Sequence, residues 1–514
     1  MSQRLVVLAH ALVSTAGALA EYAIGLVVSI IIARTLGPAE FGIFSYTIWV
    51  AGTLFFFCNH GVSVTAIRFT AEARGLERLG LAKAVGFWLG RIQLASMLVV
   101  MLCFVSLSIV IPPQQWSAHA QPVLALVVVA AVAKARYGYL ISVAQGHQKF
   151  IYSAVAPVIL AFTYLTGAIA VMYFHPTVWM FLCAYCLSSV SGFAAIAALL
   201  KRGGLSPSRG EIPAELRRKI KVNLALTAGL ALLSTATNRT IETFVLSVTA
   251  SAHDIGFFAI AGTLTKGAVD ILTAGLQATL MPVLANSMAR RGPSAVGPMV
   301  NTAIRYYWFL GLTVAGVGAL AARSVVLIVY GVPFADAVPA VQLTMLGAGL
   351  GLVGSVIGAS LTTQDKQDDR LRAAAWAAAC NAAIAIALVP TLGLLGAAIT
   401  FGIARVATTA LTFVYFRRSA SFEIEYAPCI RMGVAAAAGA LAGASLYVTM
   451  PVLWGGALAA AAFLLVFVPL TVLFGSWQRD DFELLVGVLR KVGIVSVRFY
   501  AMLEGISSRF ARGA

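Results

Sequence analysis

Charge is what this sequence has least of. Only 11% of its 514 residues are Asp, Glu, Lys or Arg, while 60% are hydrophobic; an ordinary soluble domain carries roughly 25% charged residues. Acidic residues are scarcest, 19 against 36 basic ones, for a formal net charge of +17. In a soluble chain that surplus would suggest nucleic acid. Here the basic residues fall in short gaps between apolar runs, so the surplus is topological and nucleic acid is not expected as a partner. The six cysteines lie in or beside apolar runs. Cys183 and Cys186 have redox spacing but no polar surroundings and no βαβ pattern, so they read as buried apolar side chains. The histidines are scattered, and no phosphate-binding Gly-Lys-Ser/Thr loop, metal-ligand cluster or nucleophile elbow occurs. These absences argue against an enzyme and leave no cofactor to expect.

What the chain has in abundance is apolar runs of about 20 residues, the length that crosses a bilayer. They fall at 8–34, 42–67, 84–111, 122–144, 151–173, 177–200, 222–249, 255–288, 303–330, 337–361, 373–391, 394–416, 431–450 and 453–475. The connections alternate in charge. The second holds Arg68, Arg74, Arg78 and Lys83, and the sixth holds Lys201, Arg202, Arg209, Arg217, Arg218, Lys219 and Lys221. Later even connections carry Arg290 and Arg291, then Lys366, Arg370 and Arg372, then Arg417 and Arg418, whereas the odd connections lack Lys and Arg. Basic residues stay on the cytoplasmic side of short loops, which predicts that both termini are cytoplasmic. The start of the chain imitates a secretory signal, but the apolar run resumes after Glu21, so cleavage would discard half a span.

An internal repeat organises the spans. PAEFGIFSY (38–46) aligns with AHDIGFFAI (252–260), so that Glu40 meets Asp254, Gly42 meets Gly256 and Phe44 meets Phe258. A weaker match sets AQGHQKF (144–150) against TTQDKQD (362–368). The expectation is an all-α integral membrane protein of about 14 helices: a six-helix lobe (1–200), a basic linker (201–221) and a second six-helix lobe (222–418). Two further helices (419–475) and a tail (476–514) follow. Six helices per half makes the halves parallel repeats. The tail has apolar residues at helical spacing among Arg490, Lys491 and Arg498, which fits either an interfacial helix or a frayed end.

Charges inside spans mark candidate function, because a central membrane charge costs at least ~2.5–3.5 kcal/mol. In the first span His10, Ser14, Gly17, Glu21, Gly25 and Ser29 form one stripe. In the seventh, Ser234, Asn238 and Glu242 share a face, with Arg239 placed to pair with Glu242 at i, i+3. Lys266 and Asp270 stand at i, i+4 in the eighth; Arg91, Lys134, Arg136, Arg323 and Arg405 are distributed over other spans. Arg91, Lys134, Arg136, Arg239, Lys266 and Arg405 exceed Glu21, Glu242 and Asp270 by about three charges. Two readings stand: interhelical pairs that hold the fold, or an anion-attracting cavity. Arg91 and Arg323 are also placed to snorkel.

VVSIIIARTLGPAEFGIFSY, at the end of the first span, resembles the first connection of Wzx-like polysaccharide flippases of the multidrug/oligosaccharidyl-lipid/polysaccharide (MOP) exporter superfamily. TNRTIETFVLSVTASAHDIGFFAIA, LMPVLA, VVLIVYGVPFADAVPAVQLTMLG and NAAIAIALVPTLGLLGAAIT resemble later corners of that family, in family order. One departure is Glu242, where family members often carry aspartate. The resemblance implies two six-helix lobes around a central cavity, moving a polyprenyl-diphosphate-linked oligosaccharide to the outer leaflet. Its place would be a bacterial inner membrane, and its partners that lipid-linked glycan, the lipid bilayer and polysaccharide assembly proteins.

Arg91, Lys134, Arg136, Arg239, Lys266 and Arg405 are then candidate diphosphate-binding cations, and Glu21, Glu242 and Asp270 candidates for ion coupling. Alternating access by rocking lobes is the expected mechanism. Glycines 17 and 25 and those between Gly347 and Gly358 suit either bending or close packing. The rivals are a drug antiporter of the same superfamily, which the basic surplus disfavours, and a polymerase or ligase acting on lipid-linked glycans. Outer connections of about 4 to 12 residues leave such an enzyme no room for a folded active-site domain.

Overall fold

The computed structural model describes residues 3–116, 120–235, 239–291, 296–363, 366–419, 422–450, 452–478 and 480–481. The side chains of His10, Ser14 and Ser234, residue Asn238 and the tail from 482 onward lie outside the described part. The regular elements are helices: α1 (Gln3–Asn59), α2 (Val62–Gly75), α3 (Leu79–Val110), α4 (Ala120–Gly146), α5 (Phe150–Phe174), α6 (Val178–Arg202), α7 (Ala214–Thr235), α8 (Ile241–Thr249), α9 (Ala252–Arg291), α10 (Val296–Val329), α11 (Val338–Leu350), α12 (Gly354–Thr363), α13 (Gln367–Ser419), α14 (Tyr426–Thr449) and α15 (Val452–Leu473). Short 3-10 turns at Gln114–Trp116 and Val332–Ala337 complete them.

Ten helical stretches among the described residues are long and apolar enough to cross a membrane. Two are double-length, Leu19–Asn59 with 41 residues and Asp368–Arg418 with 51. At about 1.5 Å per residue either would overshoot a hydrocarbon core of ~30 Å about twofold. Each is interrupted by a left-handed glycine, Gly37 (φ 76°) and Gly393 (φ 55°). Pro38 then starts the second half of α1, in the first-turn position where its missing N–H costs nothing. Counting both doubled helices as two and adding α7–α8 and α9 gives the multi-pass, all-helical membrane architecture expected from the apolar runs.

Three expected spans are broken. The run 42–67 stops at Asn59 and restarts as α2 at Val62. The run 337–361 becomes α11 and α12, because Thr409 Oγ1 donates to the Gly351 carbonyl at 2.9 Å and competes for that group with the helix's own ladder. The run 222–249 is not one helix either: α7 ends at Thr235, and Arg239 has φ 65°. That left-handed backbone removes the helical i, i+3 geometry assumed for Arg239 and Glu242.

By internal contacts the chain divides into two compact units, Met1–Thr263 with Ala378–Phe401, and Leu264–Ala377 with Gly402–Ala514. In the first, Phe69, Val85, Leu89, Tyr139, Leu140, Leu160, Ile196 and Leu200 form a buried core drawn from α2 to α6. The aligned repeat stretches also meet in this unit. A Cβ at Gly42 would lie 1.7 Å from the Ala252 carbonyl oxygen, and one at Gly256 would lie 3.1 Å from Gly42 Cα, so the two backbones touch and no larger residue fits. Ser251 and Asp254 form a reciprocal cap at the start of α9, with Ser251 Oγ donating to Asp254 Oδ2 at 2.9 Å and the Asp254 N–H donating to Ser251 Oγ at 3.3 Å.

The second unit has two apolar clusters, one around Tyr307, Leu352, Ile357 and Phe416, the other around Met432, Phe463 and Phe467. The segment after α15 is tied to α10 by a buried ion pair: Arg305 donates to Asp481 Oδ2 at 2.9 Å, both side chains being at most 8% exposed. Tyr306 donates to the same carboxylate at 2.5 Å.

Candidate functional site

The densest group of predicted site residues lies in the first unit, around the middle of α4. Lys134 and Arg136 are two residues apart, about 200° around a helix of 3.6 residues per turn, so they reach opposite neighbours. Lys134 Nζ donates to the Tyr185 hydroxyl of α6 at 3.0 Å and sits 4.9 Å from that ring's centre. The Tyr164 ring of α5 meets Tyr185 edge-on at 5.6 Å. Glu21 of α1 acts electrostatically on Lys134 and Tyr137, so α1 and α4 bring one predicted acid and one predicted cation together. Nearby, the Tyr22 hydroxyl donates to the Thr263 carbonyl at 2.8 Å.

Arg136 turns the other way. Its Nη1 donates to Gln93 Oε1 of α3 at 2.6 Å, and its guanidinium lies 5.4 Å from the centre of the Tyr139 ring. Tyr139 is itself fixed by donating its hydroxyl to the Gly86 carbonyl. Both α4 cations are half-buried, and each is held by a neutral hydrogen-bond acceptor. Arg136, on which no carboxylate acts, is positioned without being cancelled, whereas Lys134 also feels Glu21; a positioned cation can bind an anionic ligand.

The other candidates are placed differently. Arg91 is exposed on α3, on the face that also carries the exposed Leu94, Leu98 and Leu102; that face is apolar, and Arg91 stands on it as a snorkelling cation would. The Arg239 guanidinium lies across Gly262 of α9, where a Cβ would come within 0.9 Å of Nη1, so glycine alone leaves it room. Glu242 of α8 is fully buried. In the second unit Lys266 and Asp270 form the ion pair expected at i, i+4, with both side chains exposed. Arg405 of α13 is half-buried, and its backbone abuts Gly351, where a Cβ would stand 3.0 Å from Arg405 Cβ.

Sequence reasoning missed Gln93 and Tyr185 as partners of the α4 cations, Asn59 and Tyr164 behind them, and Arg305 with Asp481 altogether. An uncharged amide at 93, inside an apolar run, was the available signal for the first group. Arg305 and Asp481 are separated by 176 positions and give no local signal.

Just past the C-terminal end of α4, outside the span, His147 is fully buried. Burial, followed by the positive charges of Arg74 and Lys83, pushes its imidazole down to about 4, so it stands neutral at physiological pH.

The fold is shared with solved transporters. The chain is similar to the lipid II flippase MurJ in an inward closed conformation, with TM-score 0.69 and 14% identity over 90% of this chain and 98% of that one. It is similar to an inward-facing multidrug resistance MATE family transporter of the MOP superfamily, with TM-score 0.62 and 16% identity over 78% and 94% of the two chains. A MOP superfamily transporter from Pyrococcus furiosus has TM-score 0.58 and 14% identity, over 81% and 95%. Among curated protein sequences none matches the chain. Residues 7–288, more than half of its length, match the family described as polysaccharide biosynthesis protein, and the chain belongs to that family.

Proposed function

We propose that the protein is a flippase that carries a polyprenyl-diphosphate-linked oligosaccharide from the cytoplasmic to the outer leaflet of a bacterial inner membrane, for cell-surface polysaccharide synthesis. The observation that carries this reading is Arg136 of α4, fixed by the neutral Gln93 side chain, with Lys134 held by the Tyr185 hydroxyl two residues away. A diphosphate needs cations whose charge is not already spent on a carboxylate, and a planar guanidinium offers paired donors to its oxygens. The family membership and the fold shared with a flippase of lipid II support the same substrate class. Arg91, Arg239, Lys266 and Arg405 are assigned as further cations along the substrate's route. Glu21, Glu242 and Asp270 are assigned to ion coupling. Alternating access is the proposed mechanism, with cytoplasmic termini, the bilayer and polysaccharide assembly proteins as partners, and with no bond made or broken.

A second reading, a small-molecule antiporter, is favoured by the likeness to multidrug transporters. A cationic drug would be repelled by the α4 pair, which sets this reading second. The test is reconstitution in liposomes with a labelled lipid-linked oligosaccharide. Protein-dependent exposure of the glycan on the far side is expected; equal rates with and without protein would remove the flippase reading.

A further inference from the structure

We infer that Gln93 is a positioning residue for diphosphate recognition: it holds Arg136 in place through a chain of neutral amides while leaving its positive charge available to the substrate. The inference rests on the flippase reading above and names a part of its binding machinery that no charge count reveals.

The geometry has a direction. Arginine can only donate, so the 2.6 Å contact from Arg136 Nη1 fixes Gln93 with its carbonyl oxygen toward the guanidinium. The Gln93 amide nitrogen then faces Asn59 Oδ1 at a long 3.5 Å. That orients Asn59, whose nitrogen donates at 3.2 Å to the carbonyls of Phe55 and Ala135. The relay therefore begins at a group that only donates and ends at groups that only accept, and neither amide can be reversed without leaving a buried donor facing a donor. Gln93 is 0% exposed and Asn59 7%, so neither can turn to water instead.

No carboxylate takes part. Glutamate at 93 has the shape of glutamine and would bind a guanidinium more strongly, but it would cancel the charge, and its carboxylate could not donate to Asn59. Glutamine is the side chain of this shape that satisfies both neighbours and stays neutral. The Tyr139 ring, also neutral, supports the guanidinium at 5.4 Å. Among the described residues Arg136 makes no other hydrogen bond, which leaves four of its five N–H donors for a ligand.

The test compares full-length wild type, Gln93→Glu, Gln93→Met and Arg136→Gln in detergent. It measures binding of geranylgeranyl diphosphate and of geranylgeraniol, together with the thermal midpoint. Gln93→Glu is expected to weaken diphosphate binding by about tenfold or more, with alcohol binding held. Gln93→Met, which adds no charge, is expected to weaken diphosphate binding by about threefold and serves if Gln93→Glu does not fold. Parallel loss of diphosphate and alcohol binding would make Gln93 merely structural and overturn the inference. Wild-type diphosphate affinity in Gln93→Glu, with loss in Arg136→Gln, would overturn it while leaving the flippase reading intact. Wild-type affinity in Arg136→Gln would remove Arg136 from recognition and the inference with it.

Discussion

Arg136 in α4 and Arg305 in α10 are both arginines in apolar helices, and the molecule treats them in opposite ways. Arg305 is 2% exposed and faces Asp481 at 2.9 Å, with Tyr306 on the same carboxylate. Its charge is cancelled, and its effect is to tie the segment after α15 to α10. Arg136 is half-buried and faces an amide oxygen, so its charge is not cancelled. Counting charges along the sequence cannot separate the two cases. The partner's chemistry does: Arg305 meets a carboxylate and holds the fold, and Arg136 meets a neutral amide and, in the function proposed above, serves an anion.

Breaking the Arg305 side should have the largest effect. Asp481→Ala leaves a buried guanidinium uncompensated and is expected to cost about 3–5 kcal/mol, seen as a lower thermal midpoint in detergent. The apolar double change Arg305→Met with Asp481→Leu should recover most of it; an unchanged midpoint in the single variant would erase the distinction.

His147 supplies the next test, as a buried group beside cations that avoids charge altogether. Its folded value, about 4, lies below the ordinary histidine range near 6.5. Between those two values the unfolded chain binds a proton that the folded chain refuses, so the group's stabilising effect is complete above about 6.5 and is lost as the pH falls toward 4. The loss is roughly 2–3 kcal/mol between pH 7 and 4. His147→Gln should flatten the fall in midpoint with pH by that amount, and an unaltered slope would contradict the assignment.

Tyr185→Phe sharpens the Lys134 side of the comparison. It removes the hydroxyl that accepts from Lys134 and keeps the ring, so a loss of about 1 kcal/mol is expected; chemical denaturation measures it. Asp270→Asn should have the smallest effect, within about 0.5 kcal/mol, because the Lys266 pair is exposed. A loss above 2 kcal/mol would reclassify that pair with Arg305 and Asp481.

The apolar runs made most of the helices legible, since a 20-residue apolar stretch has few other fates. Gly37-Pro38 announced its own turn; the likeness of residues 38–46 to 252–260 was legible too, but not that the fold brings the two into backbone contact at Gly42 and Gly256. The interruptions at 351–353 and 239 were not visible, because the first depends on a distant partner and the second on a backbone state that a non-glycine residue rarely adopts; the one at 60–61 turns on the left-handed Gly61. Thr409, which captures the Gly351 carbonyl, lies 58 positions away. The site was legible as charges and hidden as geometry: Lys134 and Arg136 stand out in an apolar run, but their partners Tyr185 and Gln93 are 51 and 43 positions distant and carry no charge.

The claim that Arg136 keeps its charge for the substrate is tested most directly by liposome translocation of a labelled lipid-linked oligosaccharide by Arg136→Gln. Recovery and thermal midpoint are matched to the wild type. The account predicts a rate lowered about tenfold or more, as expected when a charge-assisted contact to a diphosphate is lost. A wild-type rate from the folded variant would contradict it.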